Sequence, residues 1–291
     1  MSRRAVSLDA GGHHIGGIAT ELQGSDHPLI VALHGGSYTS NYFDVPGHSL
    51  LDAATANGID VVALDRPGYG SSAALPAGEV SFARNAEILD VAIERLWSEH
   101  GQRYPGLVVV GHSIGAAITI HLAARRPRWP LLGVALSGIH DLAPDPVRSA
   151  WDAMPADQPV VFAPQQRRMF FYGPDWTIEP DIVERAAGST APVPLAELLE
   201  VVGQWPQTAA ALASQVHVPV QYVAFEFEQL WTIDADTVES FAGHFESAPL
   251  VACELMTGIG HVADHHRNGR AFQLRQLAFA LDCGERMRRA G

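Results

Sequence analysis

The sequence contains no lysine; all 19 of its basic residues are arginine. Chemistry that needs a lysine amine, such as a Schiff base, is excluded at once. Cysteine is almost as scarce. Cys253 and Cys283 are too few for a disulfide framework and stand in no metal-type spacing, so they read as free thiols of a reducing compartment. Positive charge is short overall, and a formal net charge of −13 sets aside nucleic acid and anionic membrane as partners. No apolar run is long enough to cross a bilayer, and Met1-Ser2-Arg3-Arg4 opens the chain without the apolar core of a signal peptide. These absences lead to the expectation of a cytoplasmic protein that acts on a small molecule, with no metal or cofactor. They say nothing of oligomeric state.

What is present is a chain able to bury a sizeable core. Of its 291 residues 47% are hydrophobic and 18% charged, which suits one large domain with an insertion. A hairpin is expected at the start, from Ala5 to Leu8 and from Ile15 to Leu22 around Gly11-Gly12. Six short apolar runs follow: Leu29 to Leu33, Val61 to Leu64, Leu107 to Val110, Leu132 to Leu136, Val220 to Phe225 and Leu250 to Leu255. Helical stretches between them make this the pattern of an α/β sheet. One such stretch is capped by Ser81 and carries the stripe Ile88, Val91, Ala92, Leu96. A last helix, Ala271 to Leu281, precedes a basic tail at Arg286 to Arg289 that reads as a solvated end.

The regularity breaks between Asp141 and Gln215. This stretch is rich in proline (Pro144, Pro146, Pro155, Pro159, Pro164, Pro174, Pro180, Pro192 and Pro194 among them) and carries an aromatic cluster at Met169-Phe170-Phe171-Tyr172 and Trp176. It is too long for a simple connection and too apolar for a linker. It is expected to be a helical cap, residues 141–215, inserted after the sixth strand of a core formed by residues 1–140 and 216–291.

The chemistry concentrates in Gly111-His112-Ser113-Ile114-Gly115. The β-branched run Leu107 to Val110 feeds directly into this G-x-S-x-G, and a helix-like run, Ala116 to Ala124, leaves it. A strand that turns at once into a helix forces its central residue into a strained backbone, which only small neighbours permit. Ser113 would then stand exposed at a helix N-terminus, where partial positive charge favours a developing anion.

A serine needs a base, and the base an orienting acid. Gly258-Ile259-Gly260-His261-Val262 follows the last apolar run and supplies His261; His265 and His266 lack its glycine setting. Three carboxylates compete for the acid. Glu228 falls just past the end of the strand that starts at Val218-Pro219-Val220, Asp141 lies beyond the preceding strand, and Glu226 stands two residues before Glu228. The turn His34-Gly35-Gly36-Ser37 can aim the Gly36 amide, and the Ser37 amide with it, toward the same place as the Ile114 amide.

In their order along the chain, Leu33 to Gly36, Asp65-Arg66-Pro67-Gly68-Tyr69-Gly70-Ser71-Ser72, Gly111 to Gly115, Val218 to Val220 and Gly260-His261 resemble the α/β-hydrolase superfamily over nearly the whole length. The resemblance implies an eight-stranded, mostly parallel sheet flanked by helices, a Ser-acid-His triad and a cap. In that family the Asp65 to Ser72 loop is mainly structural, and no chemistry is assigned to it here. One departure concerns the acid: Phe225-Glu226-Phe227-Glu228 replaces the usual glycine and aspartates.

The expected activity is hydrolysis of a small to medium apolar carboxylic ester or thioester through an acyl-enzyme on Ser113. Ser37, Phe170, Phe171, Tyr172 and Trp176 are the residues expected to touch substrate, with Trp151 beside them. Carbon–carbon bond hydrolysis, a lyase or acyltransferase reaction, or perhydrolysis would use the same triad. A different class, a small-molecule receptor on a hydrolase scaffold, would have no need of serine, histidine and oxyanion turn together.

Overall fold

The computed structural model describes residues 3–154 and 158–290; Pro155, in the stretch expected to form a cap, lies outside them. Eight strands form one sheet: β1 (Arg4–Ala10), β2 (His13–Ala19), β3 (Leu29–Leu33), β4 (Val61–Leu64), β5 (Leu107–His112), β6 (Leu131–Ser137), β7 (Val220–Phe227) and β8 (Val251–Gly260). Their order is β1-β2-β4-β3-β5-β6-β7-β8. β1 and β2 pair antiparallel and β2 joins β4 the same way, while the six strands from β4 to β8 run parallel. Every residue of β3, β4 and β5 is buried, as expected for runs covered on both faces.

The helices are α1 (Leu50–Ala56), α2 (Phe82–His100), α3 (Ile114–Ala124), α4 (Asp145–Asp152), α5 (Pro164–Phe171), α6 (Ile182–Arg185), α7 (Leu195–Val202), α8 (Trp205–Ala213), α9 (Ala235–Gly243) and α10 (Gly269–Ala290). Ser81 caps α2 by accepting the Arg84 amide. The buried face of α2 departs from the stripe read in the sequence: Val91 is exposed, and Leu89 and Ile93 turn inward with Ile88, Ala92 and Leu96. The second hairpin strand stops at Ala19 rather than Leu22, and the basic tail continues α10 as helix. No described helix is long and apolar enough to cross a membrane.

Register brings the strand ends together. Leu33 pairs with Gly111 and His112 with Ser137, so β3, β5 and β6 finish side by side. Chain segments leaving a parallel sheet at this edge converge on a shared crevice. Five helices, α4 to α8, lie in the chain between β6 and β7, and several of their side chains face that crevice.

Candidate active site

Ser113 links β5 to α3 with φ 54° and ψ −125°. A non-glycine residue held there costs on the order of 1–3 kcal/mol, and the surroundings account for how it is held. The Ser113 amide donates to the Ser137 carbonyl at 2.8 Å. Two glycines let the backbone close in: a methyl on Gly115 would stand 2.2 Å from the Leu33 carbonyl oxygen, and one on Gly35 would stand 2.8 Å from Ser113 Cβ.

His261 arrives by a slip in the last strand pair. From Val220↔Val251 to Phe225↔Met256 the pairing of β7 and β8 advances one for one; the next pair is Phe227↔Gly260. Unbroken pairing would set Phe227 against Gly258 and leave Glu228 level with Ile259. The bulge takes up two residues of β8 and sets His261 level with Glu228. His261 Nε2 lies 3.0 Å from Ser113 Oγ, and His261 Nδ1 lies 2.8 Å from Glu228 Oε2. The other carboxylate oxygen, Glu228 Oε1, accepts the amides of Gln229 and Leu230 at 3.0 and 2.9 Å. Both side chains are almost fully shielded from solvent.

The competing acids do other work. Asp141 lies 2.9 Å from both His140 Nδ1 and His244 Nε2, and although burial pushes its carboxyl up, the two histidines together hold it below the ordinary range. Glu226 accepts the Gly258 amide at 2.7 Å and so closes the bulge that positions His261. His265 and His266 are buried away from Ser113. His265 Nε2 bonds the Tyr42 carbonyl at 3.2 Å, while His266 Nε2 accepts the amides of Gly173 and Gly260, both at 3.0 Å.

An imidazole between a carboxylate and a hydroxyl has a fixed proton arrangement. Glu228 accepts Nδ1–H, which leaves the Nε2 lone pair facing the serine proton. The arrangement can therefore generate a nucleophilic alkoxide. The amides of Gly36, Ser37 and Ile114 have no backbone or side-chain acceptor among the described residues, and all three residues line the cavity in front of Ser113. Ser37 holds φ 66°, and its buried hydroxyl also has no partner among the described residues.

That cavity, counted together with the open solvent at its mouth, spans about 550 Å³. Its far wall is apolar, with Val147, Trp151, Phe162, Phe171, Leu198 and Val201. Phe171 packs with its ring centre 5.9 Å from that of His261. His112, also on the cavity wall, is held well below its ordinary pKa by burial and so stays neutral beside His261.

Of the residues expected at substrate, Ser37, Phe171 and Trp151 line the cavity and three others do not. Phe170 is partly buried against the core, near Trp151. Tyr172 turns inward to His265, its hydroxyl 3.3 Å from Nδ1. Trp176 is 66% exposed and packs edge-on against Phe227. Leu230 and Trp231, which follow Glu228, went unnoticed in the sequence yet form part of the wall. Trp231 is fixed by donating its indole N–H to the Gly138 carbonyl at 3.1 Å. Their position right after the strand-end acid was the available signal.

The sheet order, the strained serine and the histidine carried on the last strand define an α/β hydrolase. A model of the alpha/beta hydrolase family matches residues 30–272, and the chain belongs to that family. Among curated proteins it is similar to protein phosphatase methylesterase 1 of Mus musculus, 27% identical over 113 residues, which is 39% of this chain and 28% of that protein. The match thus spans little more than a quarter of the relative's length. Among solved structures it is similar to a thermophilic esterase from Thermogutta terrifontis, with a TM-score of 0.67 and 16% identity over 97% of this chain and 100% of that one. An epoxide hydrolase from Vigna radiata has the same TM-score and identity over 95% and 97%. The likeness to both structures is one of fold, and that fold carries more than one chemistry.

Proposed function

We propose that Ser113, His261 and Glu228 form a catalytic triad that hydrolyses a small to medium apolar carboxylic ester or thioester. One observation carries this reading: the unbroken relay from Ser113 Oγ to His261 Nε2 at 3.0 Å and from His261 Nδ1 to Glu228 Oε2 at 2.8 Å. The free amides of Gly36 and Ile114 beside it, and the apolar wall opposite, support the reading further. The ester chemistry named for the mouse methylesterase agrees with it. Residues 141–215 serve in this reading as the cap that encloses the acyl group.

Ser113 Oγ attacks the substrate carbonyl as His261 Nε2 takes its proton. Glu228 holds the imidazole in the required tautomer and stabilises the imidazolium. The carbonyl oxygen, now negative, is held by the Gly36 and Ile114 N–H groups. Collapse expels the alcohol or thiol with the proton from His261 and leaves an acyl ester on Ser113. Water, activated by the same imidazole, attacks that ester; the acid leaves and Ser113 recovers its proton. The wall accounts for the preferred acyl group, because a charged chain would lose its hydration there without a partner.

The test is a series of p-nitrophenyl esters from acetate to decanoate with wild type and Ser113→Ala, together with fluorophosphonate labelling of Ser113. Turnover and labelling that both vanish in the variant are the expected result. A wild type inert to the esters and to the probe would overturn the reading.

A further inference from the structure

Arg66 is fully buried in the loop after β4, and the steps above make no use of it. Its guanidinium faces two ways. Toward α7, Nη1 and Nη2 form a bidentate pair with Glu197 Oε1 and Oε2 at 2.8 and 2.9 Å, and Glu197 is equally buried. Tyr69 donates its hydroxyl to Glu197 Oε2 at 2.7 Å, and its ring lies 4.5 Å beneath the guanidinium carbon. Toward the sheet, Arg66 Nε donates to the His34 carbonyl at 2.9 Å and Nη2 to the Gly35 carbonyl at 3.3 Å.

The Gly35 carbonyl has a second donor, His34 Nδ1–H at 2.7 Å. The proton belongs on Nδ1 because Nε2 accepts the Arg66 amide at 3.1 Å. Burial and the Arg66 charge keep that imidazole neutral. The carbonyl of Gly35 and the N–H of Gly36 share one planar peptide unit. Clamping the oxygen on the buried side therefore aims the N–H at the cavity. A cation at the oxygen end also polarises the unit and strengthens the donor at the other end.

We propose that Arg66 and Glu197 are positioning residues for the Gly36 oxyanion donor. Arg66 aims and polarises the peptide, and Glu197 holds Arg66 from the helix whose Leu198, Val201 and Val202 line the cavity. Seating of α7 and strength of the oxyanion donor are thus linked through one ion pair. The inference rests on the hydrolase reading above.

Two variants test it: Glu197→Gln, which keeps the shape, and the double variant R66M/E197L, which leaves no lone buried charge behind. Each is checked for folding by circular dichroism. Each is then assayed on the best p-nitrophenyl ester and on its thionoester, whose sulfur accepts hydrogen bonds poorly. The expected result is kcat on the ester down about tenfold with KM nearly unchanged, and a smaller loss on the thionoester. An ester-to-thionoester ratio equal to that of wild type in the folded variants overturns the positioning role, even where rates fall. Absence of wild-type turnover and of Ser113 labelling would instead overturn the hydrolase reading beneath it.

Discussion

The cavity has a floor and a roof built on opposite principles. The floor is Gly36, Ser37, His112, Ser113, Ile114 and His261 at the ends of β3, β5 and β8, where free backbone amides face the Ser113–His261 hydrogen bond. The roof is Val147, Trp151, Phe162, Phe171, Leu198, Val201 and Val202, whose side chains are carbon throughout apart from the one indole nitrogen of Trp151. Backbone bonds tie it down at its edges, Val262 N–H to the Phe171 carbonyl at 3.0 Å and Ala191 N–H to the Ser37 carbonyl at 2.9 Å. A floor residue has one workable geometry, whereas a roof residue has a volume to fill. Apolar surfaces of the right size tolerate exchange; polar relays do not.

Substitutions can break this comparison. Ser113→Ala is expected to lower kcat by on the order of 10⁵ or more while leaving the melting temperature near that of wild type; stopped-flow or endpoint ester hydrolysis reads it. Glu228→Gln should cost on the order of 10³–10⁴ in kcat, as loss of the orienting acid does in other triads. Asp141→Asn should leave kcat within about twofold, because Asp141 serves His140 and His244 instead. A reversed ranking of these two variants would reassign the acid. Glu226→Ala opens the bulge at Gly258, and a fall in kcat of about three- to tenfold is expected as His261 loses its fixed place. On the roof, Val201→Trp should act as a ruler: acetate hydrolysis within about twofold of wild type, decanoate slowed more than about tenfold. Equal slowing of both esters would mean that the roof takes part in the chemistry after all.

The smallest effect concerns stability and pH. Burial holds His265 at about 3 and His266 at about 4, both below the ordinary value of 6.5. A lowered histidine pKa favours the neutral folded form. Its contribution is present above pH 6.5 and is lost as pH falls from there toward 4 and 3. The melting temperature should therefore drop across that window, and His266→Gln should flatten the drop. An unchanged slope in that variant would place the acid sensitivity elsewhere.

The same division decided how much could be read from the sequence. Floor elements carry short signals with one physical meaning, such as the glycines around Ser113 or the β-branched run before it, and those signals mark the strand ends directly. The serine, the histidine and the strand-end carboxylate that the structure brings together, Ser113, His261 and Glu228, could all be picked out this way as candidates. The bulge in β8 could not, because Thr257 and Gly258 look like ordinary strand residues until the partner strand is known. Roof positions were harder still. Phe170, Phe171 and Tyr172 are adjacent aromatics, and only the helix end at Phe171 decides which of the three faces the cavity. Arg66 and Glu197 lie 131 residues apart, and nothing local in either segment announces the other.

The bulge carries a consequence for how this enzyme can change. Side chains along a strand alternate between two faces, so a slip of two returns His261 to the face that Ile259 would have occupied. A slip of one would turn the imidazole to the opposite side of the sheet. On the proposed triad, insertions and deletions between Met256 and Gly260 would be filtered by parity before they are filtered by chemistry: odd ones would disarm the site in a single step, and even ones would leave a lineage that can still be tuned.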